Sequence, residues 1–130
     1  MTDAAAAGDF YSDQNPEHGY FWQQARLGKL VTKRCRACGK AHWYPRAICP
    51  HCGSSETEWI ECSGRGEIYS YSAMRRGDPY VIAFVRLAEG TTMLTNLVEC
   101  DPDRIAIGQQ VAVRFIPQAS GIVAPMFAPA

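Results

Sequence analysis

From Trp59 onward apolar and polar positions alternate in short runs separated by turn residues, the period of strands rather than helices. Gly64 to Met74 sets Tyr69, Tyr71 and Ala73 on one face against Ile68, Ser70, Ser72 and Met74 on the other. Gly64 and Gly66 predict a bend or bulge where this run starts. A turn follows over Arg75 to Pro79. Next come Tyr80 to Leu87, a hairpin turn at Glu89 and Gly90, and Thr91 to Val98. A connector over Asp101 to Gly108 leads to Gln110 to Ile116, and Ile122 to Phe127 supplies a fifth strand between prolines. Five strands in roughly sixty-five residues fit a small closed barrel of the OB type or a similar sandwich. Tyr80 to Leu87 is apolar on both faces, Tyr80, Ile82 and Phe84 against Val81, Ala83, Val85 and Leu87. A barrel buries only its inner face, so the outer set needs a cover: the helix, the tail around Met126 and Phe127, or a partner.

The amino-terminal part lacks that alternation. Residues 1–14 are Ala-rich and acidic without periodicity, and are expected to be disordered. A helix is predicted over about Pro16 to Leu27, capped by Asn15, with Glu17 in its first turn and Gly28 as its left-handed stop. Tyr20, Phe21 and Trp22 spread aromatic surface over more than one side of it. They pack either on the neighbouring module or on another protein. The expected organisation is therefore a tail over 1–14, a helix with a metal module over 15–58, and a barrel with its terminal segment over 59–130.

Within the module, the run CRACGKAHWYPRAICPHCG holds two Cys-x-x-Cys pairs, Cys35 with Cys38 and Cys49 with Cys52, each running into a glycine. A four-thiolate site needs two tight reversals that each present two sulfurs, and the glycines permit a positive φ there. Zinc is the expected ion, in a structural role, because four thiolates leave no open position for water. Iron in a rubredoxin-type site shares the Cys-Pro-x-Cys-Gly form of residues 49–53 and stays as the rival. Disulfides are disfavoured, since no secretory leader precedes the pairs. His42 and His51 are not needed as ligands, and Cys62 and Cys100 read as small buried hydrophobes. Leu30 to Lys33 and His42 to Tyr44 are short strands flanking the first knuckle.

Charge adds little in bulk: thirteen basic residues balance thirteen acidic ones in a 130-residue chain. Its distribution is uneven. Every charge from Arg26 to Arg46 is basic, which serves either a dianionic zinc-thiolate centre or contact with phosphates. No apolar run reaches the roughly twenty residues of a membrane span, and a cytoplasmic location is expected. The chain shows no Ser/His/Asp arrangement, Walker loop, dinucleotide fingerprint or carboxylate dyad, so it is expected not to be an enzyme on its own. Single-stranded nucleic acid is the alternative ligand, with Tyr69, Tyr71 and Phe84 to stack on bases. Against it stand the neutral charge and the lack of any lysine after Lys40.

The order of aromatic helix, four-cysteine ribbon and barrel resembles the DUF35 family. The features that carry it are FWQQARLGKLVTKRCRACG, the Tyr44-Pro45-Arg46 lead into CPHCG, Trp59, Ser63-Gly64-Arg65-Gly66 and Tyr69-Ser70-Tyr71, over about residues 16–127. The resemblance implies a mainly β chain with a rubredoxin-like zinc ribbon and an OB-fold barrel. It also implies a small subunit beside a thiolase-like or lipid-transfer-protein-like aldolase partner that carries the catalytic groups, including retro-aldolases that shorten steroid side chains. On that footing Tyr20, Phe21 and Trp22 would anchor the partner. Lys33, Arg36 and Arg46 would face the phosphates of a CoA thioester shared with it.

Overall fold

A computed structural model describes residues 18–130. The expected tail and the cap at Asn15 and Pro16 lie outside the described residues. The described helix, α1, spans Gly19–Arg26 and ends as the sequence predicts. Gly28 takes a φ of 77°, while its amide donates to the Ala25 carbonyl (3.0 Å) and that of Lys29 to the Gln24 carbonyl (2.9 Å). Together these bonds close the last turn of the helix as a Schellman stop.

Three strands follow: β1 (Val31–Cys35), β2 (Ala41–His42) and β3 (Thr57–Glu61). They form an antiparallel sheet in the order β2-β1-β3, with Val31 opposite Glu61 and Cys35 opposite Thr57. Trp59 to Glu61 thus belong to the ribbon sheet, although their alternation reads as the start of the barrel. The run Thr57–Glu61 has the same period 2 wherever it pairs, and only β1 decides which sheet takes it.

The remaining strands, β4 (Arg65–Met74), β5 (Tyr80–Leu87), β6 (Thr92–Leu97), β7 (Gln110–Pro117) and β8 (Val123–Pro129), close a barrel in the order β4-β5-β6-β8-β7. Its pairs are antiparallel except β6 with β8, which run parallel. This is the five-strand OB arrangement. The irregularity expected near Gly64 and Gly66 sits further on: the β4–β5 register shifts between Ile68 and Ser70, at Tyr69. Beyond it Tyr71 and Ala73 oppose Ala83 and Val81, which point inward.

Val81, Ala83, Val85 and Leu87 of β5 fill the barrel with Ile68, Met93, Leu97, Val111 and Phe127. The same core runs without a break into Phe21, Leu30, Val31 and Cys62, so helix and ribbon sheet close one side of the barrel. One polar contact extends the β1–β3 ladder up to that junction and a second crosses it. The Cys62 amide donates to the Leu30 carbonyl (2.7 Å), and the Ser63 amide donates to the Glu89 carboxylate at the β5–β6 turn (2.9 Å). Cys62 is buried as expected, and Cys100 is half-buried. Burial, reinforced by the negative charge of Glu89, pushes the Cys62 thiol up to about 12.

Candidate metal centre

Two knuckles carry the four expected ligands. The first follows β1, where the Gly39 amide donates to the Cys35 carbonyl (2.8 Å) and the Cys35 amide to the Lys40 carbonyl (3.0 Å). The second repeats the device: Gly53 donates to the Cys49 carbonyl (2.9 Å) and Cys49 to the Ser54 carbonyl (2.8 Å). Gly39 and Gly53 sit at φ of 78° and 80°, which is what the glycine after each pair makes cheap.

The result is a cluster in which the sulfurs of Cys35, Cys38, Cys49 and Cys52 all lie within 4.8 Å of one another. Cys35 Sγ is 3.6 Å from Cys52 Sγ, and Cys38 Sγ is 3.7 Å from Cys49 Sγ. A tetrahedral ion with bonds of about 2.3 Å sets its sulfurs roughly 3.8 Å apart, so the donor set fits. None of the six cysteines is in a disulfide.

The electrostatics favour a bound cation. The Cys35 thiol is drawn down to about 7, first by the Cys38 amide, which approaches its sulfur (3.5 Å), and then by the thiols of Cys52 and Cys38 against its own burial. Cys49 is held low by the Cys52 and His51 amides, although burial, the largest single influence, pushes it up. Cys52 rises to about 11: the Ser54 amide acts downward, and the neighbouring sulfurs together with burial outweigh it. Four sulfurs this close cannot all carry charge unaided, and a divalent cation removes the conflict. His42 stands outside the cluster. Its buried ring accepts the Arg46 amide at Nε2 (3.1 Å), and burial lowers its pKa.

Of the other candidate residues, Tyr20 and Lys33 meet at the Trp59 ring, and the rest are spread out. Phe21, 6% exposed, points into the chain's own core and meets Trp22 and Trp43 edge-on at 5.0 and 5.4 Å. Tyr20 is exposed and leans on Trp59 (4.8 Å), and Trp22 is half-buried. Lys33 Nζ lies 5.0 Å over the Trp59 ring. Arg36 shares Glu58 with Arg34, at 3.3 and 3.7 Å, and Arg46 is exposed in the loop between the knuckles. Sequence reasoning missed His18, whose Nε2 lies 3.1 Å from the Pro45 carbonyl and ties the residue preceding α1 to that loop. A histidine just ahead of a helix carries no pattern that reveals such a contact.

Two family models match: the rubredoxin-like zinc ribbon domain of ChsH2 over residues 22–58 and the C-terminal OB-fold domain of ChsH2 over residues 59–115. A solved chain titled "Ltp2-ChsH2(DUF35) aldolase" is 36% identical, superposes with a TM-score of 0.78, and is matched over 88% of this chain and 95% of its own. The chain belongs to the DUF35 family. Among curated relatives, a DUF35 domain-containing scaffold protein of Methanocaldococcus jannaschii is 37% identical, over 66% of this chain and 67% of its own. A probable enoyl-CoA hydratase alpha subunit of Thermomonospora curvata is 36% identical over 89% of this DUF35 chain, which spans only 38% of that protein's length. The benzoylsuccinyl-CoA thiolase subunit BbsA of Geobacter metallireducens is 33% identical, over 55% of this chain and 51% of its own. Among the described residues no helix is long and apolar enough to cross a membrane.

Proposed function

We propose that this DUF35 chain is a non-catalytic, zinc-bearing subunit of a thiolase-superfamily acyl-CoA enzyme, a thiolase or a retro-aldolase. In this role it assembles the complex and helps hold the CoA substrate. The observation that carries the reading is the end-to-end match to the ChsH2 chain of an aldolase, joined to a metal centre whose shell is filled by four thiolates. A closed shell folds the ribbon and offers no site for substrate. Carbon–carbon bond chemistry then falls to the partner. Tyr20 and Trp22 belong to the partner-facing surface, Tyr20 backed by Trp59 and Trp22 by Phe21. Lys33, Arg36 and Arg46 supply positive charge on the ribbon toward the CoA phosphates, and retro-aldol shortening of a steroid side chain is the reaction to assay first.

The test is purification of the tagged chain from its native host, with zinc measured and co-purifying subunits identified by mass spectrometry. A thiolase-superfamily subunit whose CoA-thioester turnover depends on this chain is the expected result. Turnover by the isolated DUF35 chain, abolished by a substitution in one of its own side chains, would falsify the reading.

A further inference from the structure

A closed barrel satisfies its backbone and buries one face of each strand, so the outer face is ordinarily polar. Strand β5 departs from this. Its outward residues Tyr80, Ile82 and Phe84 are 49%, 42% and 45% exposed. The β4–β5 and β5–β6 registers place their neighbours: one rung reads Ser72-Ile82-Asn96 and the next Ser70-Phe84-Leu94. Met74 beside Tyr80 extends the patch. None of these side chains carries a charge. Charge returns only at the following rung, where Glu67 faces Arg86, and beyond the strand end at Arg75 and Arg76.

Isolated apolar residues on a surface need no explanation, but a contiguous uncharged centre with aromatic and methionine side chains and a charged edge has the composition of an interface core. The small Ser70 and Ser72 leave an open hollow of about 140 Å³ beside Ile82, Phe84 and Leu94, a volume that one apolar side chain of a partner would fill. Size indicates what kind of partner. Three strands about 4.8 Å apart and five residues at about 3.3 Å each cover roughly 250 Å², well under the ~800 Å² that each side of a stable complex gives up. Leu94 also lines a second groove, between α1 and the barrel, with Trp22, Trp43, Pro125 and Met126. An occupant of both is a folded protein surface rather than a short peptide. The absence of any cation among the central positions disfavours a nucleic acid.

We infer that this outer β4–β5–β6 face, continued by the α1 groove, is where the catalytic thiolase-superfamily subunit docks. The inference rests on the subunit reading above. The choice of that occupant over a second copy follows from the aldolase complex in whose title the similar ChsH2 chain stands beside Ltp2.

The experiment takes the thiolase-superfamily subunit retained in the native host, purifies it, and titrates it against the zinc-loaded chain by biolayer interferometry. Phe84→Asp is expected to weaken binding at least about tenfold, as loss of a central anchor does, with unchanged zinc content and melting temperature. Ile82→Ser, a milder change at an outward position, reports the same loss if Phe84→Asp proves unstable. Ile107→Asp alters an exposed apolar residue outside the face and is expected to bind as wild type. Wild-type affinity in both Phe84→Asp and Ile82→Ser would overturn the docking face and leave the subunit reading standing. Failure of the wild-type chain to retain any thiolase-superfamily subunit would remove both. Self-association that Phe84→Asp abolishes, with binding of that subunit unaffected, would assign the face to a second copy and refute the inference.

Discussion

Removing the metal should unfold one part of the chain and spare the other. Between Cys35 and Gly53 the buried side chains are Cys35, His42, Pro45 and Cys49, so apart from half-buried Trp43 against Phe21 these nineteen residues contain almost no apolar core. Ordering their backbone costs on the order of 20 kcal/mol at about 1 kcal/mol per residue. The turn bonds at Cys35, Arg36, Gly39, Cys49 and Gly53 return about 1 kcal/mol each. A four-ligand zinc site supplies about 10–16 kcal/mol. The difference closes only with the ion in place. Chelation at neutral pH, or Cys49→Ala, should therefore strip amide protection from the knuckle residues 35–53 within the dead time of a hydrogen-exchange experiment. The barrel amides of β4 to β8 should keep most of theirs, because Ile68, Val85, Val111 and Phe127 owe nothing to the knuckles. Metal analysis in parallel would confirm loss of zinc. Knuckle amides between Cys35 and Gly53 that stay protected in metal-free protein would refute the reasoning, since they would show a source of stability that the packing does not contain.

Other consequences can be checked on the isolated chain. A Cβ at Gly66 would stand 2.6 Å from the Arg86 carbonyl oxygen and 2.7 Å from Val85 Cγ1, so Gly66→Ala should cost about 1–3 kcal/mol and lower the melting temperature by several degrees. Phe127 is fully buried at the centre of the barrel, and Phe127→Ala should cost about 3–5 kcal/mol in a denaturant titration. The Cys62 thiol, lifted from 9.0 to about 12, keeps its proton in the folded state while the unfolded chain loses it. Its contribution is complete below pH 9 and declines as pH rises from 9 toward 12, so the stability difference between wild type and Cys62→Ala should shrink over that window. In native protein at pH 8 the same thiol should resist a thiol-specific reagent until the chain is unfolded.

The knuckles were the most legible part of the sequence, because sulfur ligation leaves one spacing, one residue type and one turn glycine at each pair. The barrel strands were legible almost to their ends for a similar reason: β5 is a short β-branched and aromatic run, and the turn residues on either side mark where it stops. What the pattern could not show was partnership. Thr57–Glu61 has the alternation of any strand, and only its pairing with β1 places Trp59 in the ribbon sheet. Phe21 sits between two other aromatics in a helix too short to declare one apolar side, so its inward direction came from Trp43, twenty-two residues away. The bulge at Tyr69 likewise depends on fitting β4 to two different neighbours, β5 along its length and β7 at its start.

The unbroken packing from Phe21 through Leu30 and Val31 to Val85 has a mechanical consequence. A zinc knuckle hung on a flexible tether would sweep through many directions, whereas this one is bolted by that packing and by the Ser63–Glu89 contact. Whatever grips the barrel therefore meets the knuckle tip at a set angle. A change as small as a trimmed leucine at that seam would re-aim a metal site that it never touches.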